Sequence, residues 1–210
     1  MTRPIVIGLT GSIGMGKTTT ARMFREAGVP IWEADSAVHR LYGNGGPAVG
    51  PIESLNRDVI RDGAVDRTAL SDWIARDNAA LDRIESVVHP LVRADREKFV
   101  RDAKAPVVLV DIPLLFETGA EGSVDVVVVV SVPEEIQRER VLARPGWTKE
   151  KFEQIRSRQM PDAEKCRRAD HVIEAATLEA ARKSVHDVLE RIKAGRANEG
   201  NCSRHRDDRP

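Results

Sequence analysis

The sequence predicts a three-layer α/β fold built on a parallel β-sheet, and two observations carry this prediction. Short apolar runs of strand length recur along the chain, and several are apolar on both faces, as in a parallel sheet that is covered on both sides. Longer stretches with helical spacing of apolar residues lie between these runs. An alternation of the two element types places helices on both faces of the sheet.

Five strands are predicted, and two of them are unbroken apolar runs, Val107 to Val110 and Val126 to Val130. The predicted strands span 5–10, 29–32, 106–112, 124–130 and 171–173. No run approaches the roughly 20 apolar residues of a membrane span, so no membrane association is expected. The N-terminal residues show no signal-peptide pattern, and we expect a cytoplasmic protein.

The predicted helices are bounded by residues that start or stop helices. The first runs from Lys17 to Ala27 and ends at Gly28. Because proline interrupts a helix, His89-Pro90 is expected to separate two further helices. Asp77 caps a predicted helix over 78–88, and a second predicted helix covers 91–103. A helix over 134–143 follows Pro133. Thr148 caps a helix over 149–160 that Pro161 ends, and the last predicted helix runs from Thr177 to Ile192.

Two segments exceed what a simple strand–helix alternation needs. About seventy residues, 36–105, separate the second and third strands and predict an inserted helical subdomain. Segment 138–168 holds ten Lys and Arg against five Asp and Glu, a net charge of +5, which favours an anionic partner and a closing lid. We expect one domain over 1–195 and a disordered tail over 196–210.

The overall charge excludes some functions. The chain has 33 Lys and Arg against 33 Asp and Glu, and a net charge of zero is atypical of a general nucleic-acid-binding protein. The two cysteines, Cys166 and Cys202, have neither the number of a disulfide framework nor the spacing of a metal site.

The strongest motif follows the first predicted strand and opens the first predicted helix. Gly11-Ser12-Ile13-Gly14-Met15-Gly16-Lys17-Thr18 matches the phosphate-binding pattern G-x-x-x-x-G-K-[ST] in full. Its glycines let the backbone curl so that N–H groups point at phosphate oxygens, and the helix N-terminus adds positive charge. Lys17 reaches the outer phosphates and Thr18 ligates Mg²⁺. The alternative is a glycine-rich turn without a ligand; the motif in this context predicts a P-loop nucleoside-triphosphate hydrolase or kinase fold.

An acidic residue lies just beyond the second strand, in Glu33-Ala34-Asp35. Ligands of an open parallel sheet bind outside the carboxyl ends of its strands, so Asp35 can face the phosphates and accept a proton from an attacking hydroxyl. The alternative is that Asp35 caps the helix that begins at Ser36. The sequence leaves both interpretations open.

Asp111 ends the third strand at a Walker-B-like position, where an acid can help to hold Mg²⁺. The alternative is an acid in an ordinary turn.

Arginines of the basic segment are candidates for phosphate binding. Arg140 and Arg144 are four residues apart on a predicted helix and therefore share a face. Their planar guanidinium groups suit phosphate, although a solvated helix surface is the alternative for each of them.

Two classes of nucleotide-binding protein can be excluded by their missing motifs. The chain has neither the Asn-Lys-x-Asp motif of GTPases nor the Leu-Ser-Gly-Gly-Gln motif of ABC ATPases. The early acid, the helical insert and the late arginines are typical of small-molecule P-loop kinases.

Within that class the sequence resembles the dephospho-coenzyme A kinase family from Ile5 to about Leu189. The most distinctive string is Asp111-Ile112-Pro113-Leu114-Leu115-Phe116-Glu117. The other matching strings are the phosphate loop, Glu33-Ala34-Asp35, Asp62-Gly63-Ala64-Val65-Asp66-Arg67, Ile84-Glu85 with His89-Pro90, Gln137 with Arg140 and Arg144, Arg158-Gln159, and Ala169-Asp170-His171-Val172-Ile173. The departures are Glu33 for the family's first Asp, Leu55-Asn56 for Phe-Gly, and Glu174-Ala175-Ala176 where Asn is common.

This resemblance implies ATP-dependent phosphorylation of the ribose 3′-hydroxyl of dephospho-coenzyme A, with Mg²⁺ and without nucleic acid or membrane. A monomer is expected, with a weak oligomer as the alternative. The rival functions are a kinase for another hydroxyl compound, such as a nucleoside or sugar acid, and a non-catalytic ATP-sensing protein. The implied roles are catalysis by Lys17, Asp35 and Arg140, nucleotide binding by Gly11 to Thr19 and Arg144, acceptor binding by Asp35, His89, Leu114 and Glu117, and metal binding by Thr18 and Asp111.

Overall fold

The computed structural model describes residues 3–204, and side chains through residue 195. In this part of the chain the strands are β1 (Ile5–Thr10), β2 (Ile31–Glu33), β3 (Ile60–Arg61), β4 (Ala64–Val65), β5 (Val107–Asp111), β6 (Val126–Ser131) and β7 (His171–Glu174). The helices are α1 (Lys17–Glu26), α2 (Ala34–Tyr42), α3 (Val49–Leu55), α4 (Arg67–Arg76), α5 (Ala80–Asp102), α6 (Glu134–Leu142), α7 (Lys149–Arg156), α8 (Asp162–Arg168) and α9 (Leu178–Arg204).

Five strands form one parallel sheet in the order β2-β5-β1-β6-β7. The predicted α/β fold is therefore confirmed, with strand boundaries shifted by at most two residues. Strand β1 lies in the middle, paired with β5 on one side and β6 on the other. Strands β5 and β2 lie on one side of β1, and β6 and β7 lie on the other, so the strand order reverses at β1. In an open parallel sheet such a reversal opens a crevice beyond the carboxyl ends of the strands.

Helices cover both faces of the sheet. On one face α1 and α9 pack against β1, β6 and β7, with Phe24, Leu9 and Ile173 fully buried among them. On the other face the C-terminal half of α5 packs against β2 and β5. The remainder of that face is covered by the loop after β5 and by residues of α8. Apolar strands buried on both sides are the physical reason that these runs form the sheet.

Residues between β2 and β5 build a second apolar core. It includes Leu41 and Ile52 of the first two insert helices and Ile84 and Val88 of α5. A two-stranded antiparallel hairpin, β3-β4, completes this unit and was not predicted by the helical interpretation of the segment. The hairpin turn holds Asp62 at φ 48° followed by Gly63 at φ 73°. Strands of two residues are too short to show an alternating pattern in a sequence.

Helix α5 is continuous through Pro90, so the predicted break at His89-Pro90 is wrong. Proline removes one hydrogen bond from the ladder, to the carbonyl of Ser86. Both Ser86 and Pro90 are exposed, so water can reach the freed carbonyl. The two halves of the helix are held independently, the first by the insert core and the second by the sheet. The packing of both halves of α5 therefore outweighs the cost of the hydrogen bond that Pro90 removes.

Other boundaries also differ from the sequence-based expectations. Helix α5 begins at Ala80 rather than at residue 78, and α7 ends at Arg156 rather than at residue 160. Helix α8, which follows Pro161, was not predicted. Helix α9 continues through residues 196–204, which the sequence assigns to a disordered tail, while 205–210 lie outside the described residues. Within the described chain no helix is long and apolar enough to cross a membrane.

Candidate active site

The phosphate-loop motif curls over the carboxyl end of β1 and leads into α1. Gly14 and Gly16 adopt left-handed backbone with φ of 80° and 94°. Gly14 also has no room for a side chain, because a Cβ there would lie 2.6 Å from Cγ2 of Val141. The two glycines are therefore required by the shape of the loop. This shape brings the N-terminus of α1 to the crevice, with Gly16 as its N-cap.

Two glutamines, one on α6 and one in the segment between α7 and α8, hold the middle of this loop. Nε2 of the buried Gln137 donates to the carbonyl of Ile13 at 2.8 Å, and the N–H of Ile13 donates to Oε1 of Gln159 at 3.1 Å. Both polar backbone groups of Ile13 are thus bound by side chains. The sequence marked these glutamines only through the family resemblance, because such contacts span more than a hundred residues of chain.

Lys17 is the first residue of α1, and its ammonium lies 2.5 Å from Oδ1 of Asp111, the last residue of β5. Both side chains are largely withdrawn from solvent, with 17% and 11% of their surface exposed. Burial raises the pKa of Asp111, Lys17 opposes this, and the charges of Glu33 and Asp35 raise it further. The structure therefore brings two predicted site residues into direct contact, with further carboxylates close enough to act on them.

Asp35 lies in the first turn of α2, directly after β2. The helix begins at Ala34 and its N-cap is Glu33, so the interpretation of Asp35 as the N-cap is wrong. Asp35 is exposed on the crevice side of the sheet, and its neighbour Glu33 is paired across the strands with Asp111. The carboxyl ends of β2 and β5 thus place the two predicted acids at one edge of the sheet.

Glu33, where the family has Asp, links two helices. One carboxylate oxygen accepts from Arg25 of α1 at 2.9 Å and the other accepts from the hydroxyl of Ser36 in α2 at 2.9 Å. These two side-chain hydrogen bonds are the main causes that lower the pKa of Glu33. The acid therefore ties the start of α2 to the helix that follows the phosphate loop.

Arg140 and Arg144 line a cavity of about 350 Å³ beside the phosphate loop. Arg140 donates to the carbonyls of Ala175 and Ala176 at 2.8 and 3.0 Å, and its guanidinium lies beside Gly16. Arg144 is exposed and lies against the ring of Trp147. The other lining residues are Gly14, Gly16, Thr19, Thr20, Ala175, Thr177, Leu178 and Ala181.

The predicted acceptor residues are more scattered. His89 is exposed on α5, and Leu114 is 40% exposed in the loop after β5. The carboxylate of Glu117, in the same loop, accepts from the N–H of Met160 at 2.8 Å and lies 2.9 Å from Nζ of Lys165. Of these residues, Glu117 already has partners within the protein, one of them the buried Lys165, whereas His89 and Leu114 face solvent.

The donors near the loop fit a magnesium ion that is carried mainly by phosphates. Among residues 3–195 no group of three or more His, Cys, Asp or Glu side chains is arranged to enclose a metal ion. Thr18 is exposed on the first turn of α1, next to the Lys17–Asp111 pair. Mg²⁺ in nucleotide sites is typically held by one or two protein oxygens, phosphates and water, which matches this sparse set.

Comparisons with known proteins agree with this geometry. The family model for dephospho-CoA kinase matches residues 5–180. A dephospho-CoA kinase from Cereibacter sphaeroides is 53% identical over 191 residues, which cover 91% of this chain and 97% of that protein. One from Ruegeria pomeroyi is 53% identical over 189 residues, covering 90% and 96%.

Solved structures share the architecture. The crystal structure of TT1252 from Thermus thermophilus is 33% identical, has a TM-score of 0.78, and the match covers 92% of this chain and 98% of that chain. Dephospho-CoA kinase from Campylobacter jejuni, at 23% identity and a TM-score of 0.70, shares the fold, with coverage of 91% and 98%. A phosphate loop on a parallel sheet, an acid-lined crevice and a family match over most of the chain lead to one conclusion: the chain belongs to the dephospho-CoA kinase family.

Proposed function

We propose that this protein transfers the γ-phosphoryl group of ATP to the ribose 3′-hydroxyl of dephospho-CoA, giving ADP and CoA as the last step of CoA biosynthesis. The family match over residues 5–180 carries the proposal. The contact between Lys17 at the start of α1 and Asp111 at the end of β5 supports it, because P-loop kinases use such a lysine and a nearby acid to hold the triphosphate and its metal ion.

The phosphate loop and Lys17 bind the triphosphate. The N–H groups of Gly14, Gly16, Lys17 and Thr18, at the N-terminus of α1, are the proposed donors to the outer phosphates, whereas the N–H of Met15 donates to Ser12 within the loop. The cavity lined by Thr19, Arg144 and Ala175 adjoins the loop and is the expected place of the nucleoside. The remaining loop residues, Gly11, Ser12, Ile13 and Met15, shape the backbone rather than contact the base.

Asp35 is the proposed general base. It is exposed at the crevice, whereas Asp111 is buried and bound to Lys17. The proton of the acceptor hydroxyl moves to the carboxylate of Asp35 as the new oxygen–phosphorus bond forms and the bond to the bridging oxygen of ADP breaks. A base must lie within hydrogen-bond reach of that hydroxyl, which an acid on the first turn of α2 can achieve.

Thr18 and Asp111 are the proposed protein groups near Mg²⁺. These two side chains would hold the ion beside the phosphates, where it would supply positive charge against the negative charge that develops during transfer. Asp111 also holds Lys17 in place, and Lys17 in turn opposes the rise in the pKa of Asp111 that burial causes.

Arg140 and Arg144 are proposed to neutralise charge from the lid segment 138–168. Arg140 is the better placed, because its guanidinium lies beside Gly16 of the loop. Phosphoryl transfer requires positioning and charge rather than a covalent intermediate. His89 and Leu114 remain the proposed contacts of the acceptor, and a cytoplasmic monomer remains a prediction.

A coupled ADP-release assay tests the proposal. Purified protein with ATP and Mg²⁺ is expected to release ADP with dephospho-CoA and not with a panel of nucleosides and sugar acids. Preference for a panel member would reveal a kinase of another substrate. Tight ATP binding without ADP release with any acceptor would reveal an ATP-sensing protein.

A further inference from the structure

Glu117 is bound to structural partners, although the sequence places it in a loop near the acceptor. Its side chain is only 17% exposed, and the Lys165 side chain that it meets is fully buried. Burial alone raises the pKa of Glu117, but Lys165 and the N–H of Met160 outweigh this and hold the pKa below its ordinary value. The carboxylate is therefore charged and directed into the protein.

The partner of Glu117 on the backbone is the residue next to Gln159. Met160 donates its N–H to Glu117 at 2.8 Å, and Gln159 accepts from the N–H of Ile13 in the phosphate loop at 3.1 Å. A hydrogen bond at Met160 fixes the backbone from which the Gln159 side chain extends. The loop after β5 and the phosphate loop are thus joined by adjacent residues of the segment between α7 and α8.

The clamp on Ile13 has a second side that does not depend on Glu117. Gln137 lies on α6, is buried and binds the carbonyl of Ile13. The peptide between Ser12 and Ile13 is held at both ends, because its carbonyl accepts from the N–H of Met15 at 3.2 Å and its N–H donates to Gln159 at 3.1 Å. Gln159 supplies the contact that orients the N–H of Ile13, and with it the direction of the next N–H groups in the loop.

We propose that Glu117 is a positioning residue for ATP: by holding Met160, and Lys165 beside it, it places Gln159 against Ile13 and so keeps the phosphate loop in its binding conformation. Glu117 contacts neither ATP nor the acceptor in this assignment. The proposal deepens the proposed function, since it concerns the same nucleotide site.

The first test compares Gln159→Ala with Gln154→Ala, which changes an exposed glutamine of α7. ATP binding is measured by calorimetry without acceptor, so the result does not depend on the acceptor's identity. Loss of one hydrogen bond is expected to weaken ATP binding about three- to tenfold in Gln159→Ala and to leave it unchanged in Gln154→Ala. Equal affinities in both variants would overturn the proposal.

The second test separates the Met160 hydrogen bond from the ion pair. In Glu117→Gln/Lys165→Met the buried charges are gone, but an amide oxygen can still accept from Met160; in Glu117→Ala/Lys165→Met that acceptor is missing. We expect near wild-type ATP affinity in the first variant and a three- to tenfold loss in the second. Adding Gln159→Ala to the second should weaken ATP binding no further, because both changes interrupt one chain of contacts.

The outcomes distinguish the alternatives. A raised acceptor KM with unchanged ATP affinity in Glu117→Ala/Lys165→Met would make Glu117 an acceptor contact and overturn the proposal. Equal ATP affinity in the Gln and Ala double variants would also overturn it. If the Ala double variant does not fold, Glu117→Asp, which withdraws the carboxylate by one methylene, replaces it. Wild-type protein that binds ATP but does not phosphorylate dephospho-CoA would contradict the proposed function and leave the ATP measurements interpretable.

Discussion

The strand-end region and the insert are held together by different forces. At the carboxyl end of the sheet, the pairs Lys17–Asp111 and Glu117–Lys165 are mostly withdrawn from water. In the insert, the pairs Arg57–Glu53, Arg61–Asp66 and Arg83–Asp77 expose between 34% and 88% of their side chains, and an apolar cluster forms the interior.

This difference indicates which substitutions each region tolerates. A buried charge that loses its partner is strongly penalised, while exposed pairs contribute about 0–1 kcal/mol each. The strand-end region should therefore be sensitive to removal of a charge, and the insert to removal of volume. Under the proposed function the chemistry belongs to the strand-end region, because fixed charges act on a transferring phosphoryl group without reorganisation.

The largest expected effect is in Lys17→Ala. Loss of the cation that faces the phosphates should lower kcat by at least about 10²-fold. The buried Asp111 loses the group that opposes the rise in its pKa and can be neutralised by a proton, so the fold should survive. Steady-state kinetics and a thermal melt check this. Lys98→Ala, on the exposed surface of α5, is the control and should leave both unchanged; a Lys17→Ala enzyme with near wild-type rate would remove the phosphate site from this place.

Asp35→Asn should lower kcat by at least about 10²-fold with little change in ATP affinity, because Asn cannot accept the proton. Asp82→Asn is a matched control, since Asp82 is an exposed acid in the first turn of α5 within the insert. It should be fully active. Equal activity of the two variants would show that Asp35 has only the small effect of an acid at a helix start.

Ile84→Ala in the insert core should act on stability rather than on the nucleotide site. Ile84 is 4% exposed, and its truncation is expected to lower the free energy of unfolding by about 2–5 kcal/mol. ATP affinity of the folded protein should be unchanged, while the acceptor KM should rise. Denaturant titration and calorimetry check this, with Leu81→Ala at a 43% exposed position as the control. A matching loss of ATP affinity would contradict the division into two regions.

The smallest expected effect is on acid stability. The pKa of Glu117 is lowered from 4.5 in the folded protein, so its contribution to stability is present above that value and is lost as pH falls through the folded pKa. Glu117→Gln/Lys165→Met should therefore show a shallower loss of stability below pH 4.5 than the wild type.

The salt dependence of stability distinguishes the buried Glu117–Lys165 pair from a surface pair. The difference between the wild type and Glu117→Gln/Lys165→Met should persist in about 0.5 M NaCl, because buried pairs are screened little. Any effect of Arg83→Met, which removes the exposed partner of Asp77 in the insert, should disappear. Urea titrations from pH 3 to pH 6 measure both, and loss of the first difference in salt would mean that solvent reaches the Glu117 pair.

The same contrast explains what could be predicted from sequence. The sheet strands are recognisable because both faces are buried, and the phosphate loop because Gly14 and Gly16 need left-handed backbone. The elements of the insert were harder to predict from the sequence. Its hairpin has strands of two residues, and Pro90 lies within a helix whose packing lies in two different cores, which no local pattern reveals.

The clamp on Ile13 escaped prediction for another reason. Gln137 and Gln159 lie 124 and 146 residues away in the chain, and a glutamine at either position has no local feature that indicates a backbone partner. The direction of Glu117 was equally hidden, since a carboxylate in a loop near the site is chemically suited to an acceptor until its buried partner Lys165 is seen.

The three tryptophans of the chain provide a separate optical reporter for each region. Trp32 is buried in the middle of β2 and donates to Asp95 at 2.6 Å. Trp73 belongs to the insert with Arg83 over its ring, and Trp147 lies in segment 138–168 with Arg144 and Lys151 near its ring. Because indole emission depends on local polarity and nearby charge, variants that keep one tryptophan and replace the others by Phe would give three independent fluorescence signals. Titrating each with ATP or acceptor would then resolve, within one molecule, which region responds to which substrate.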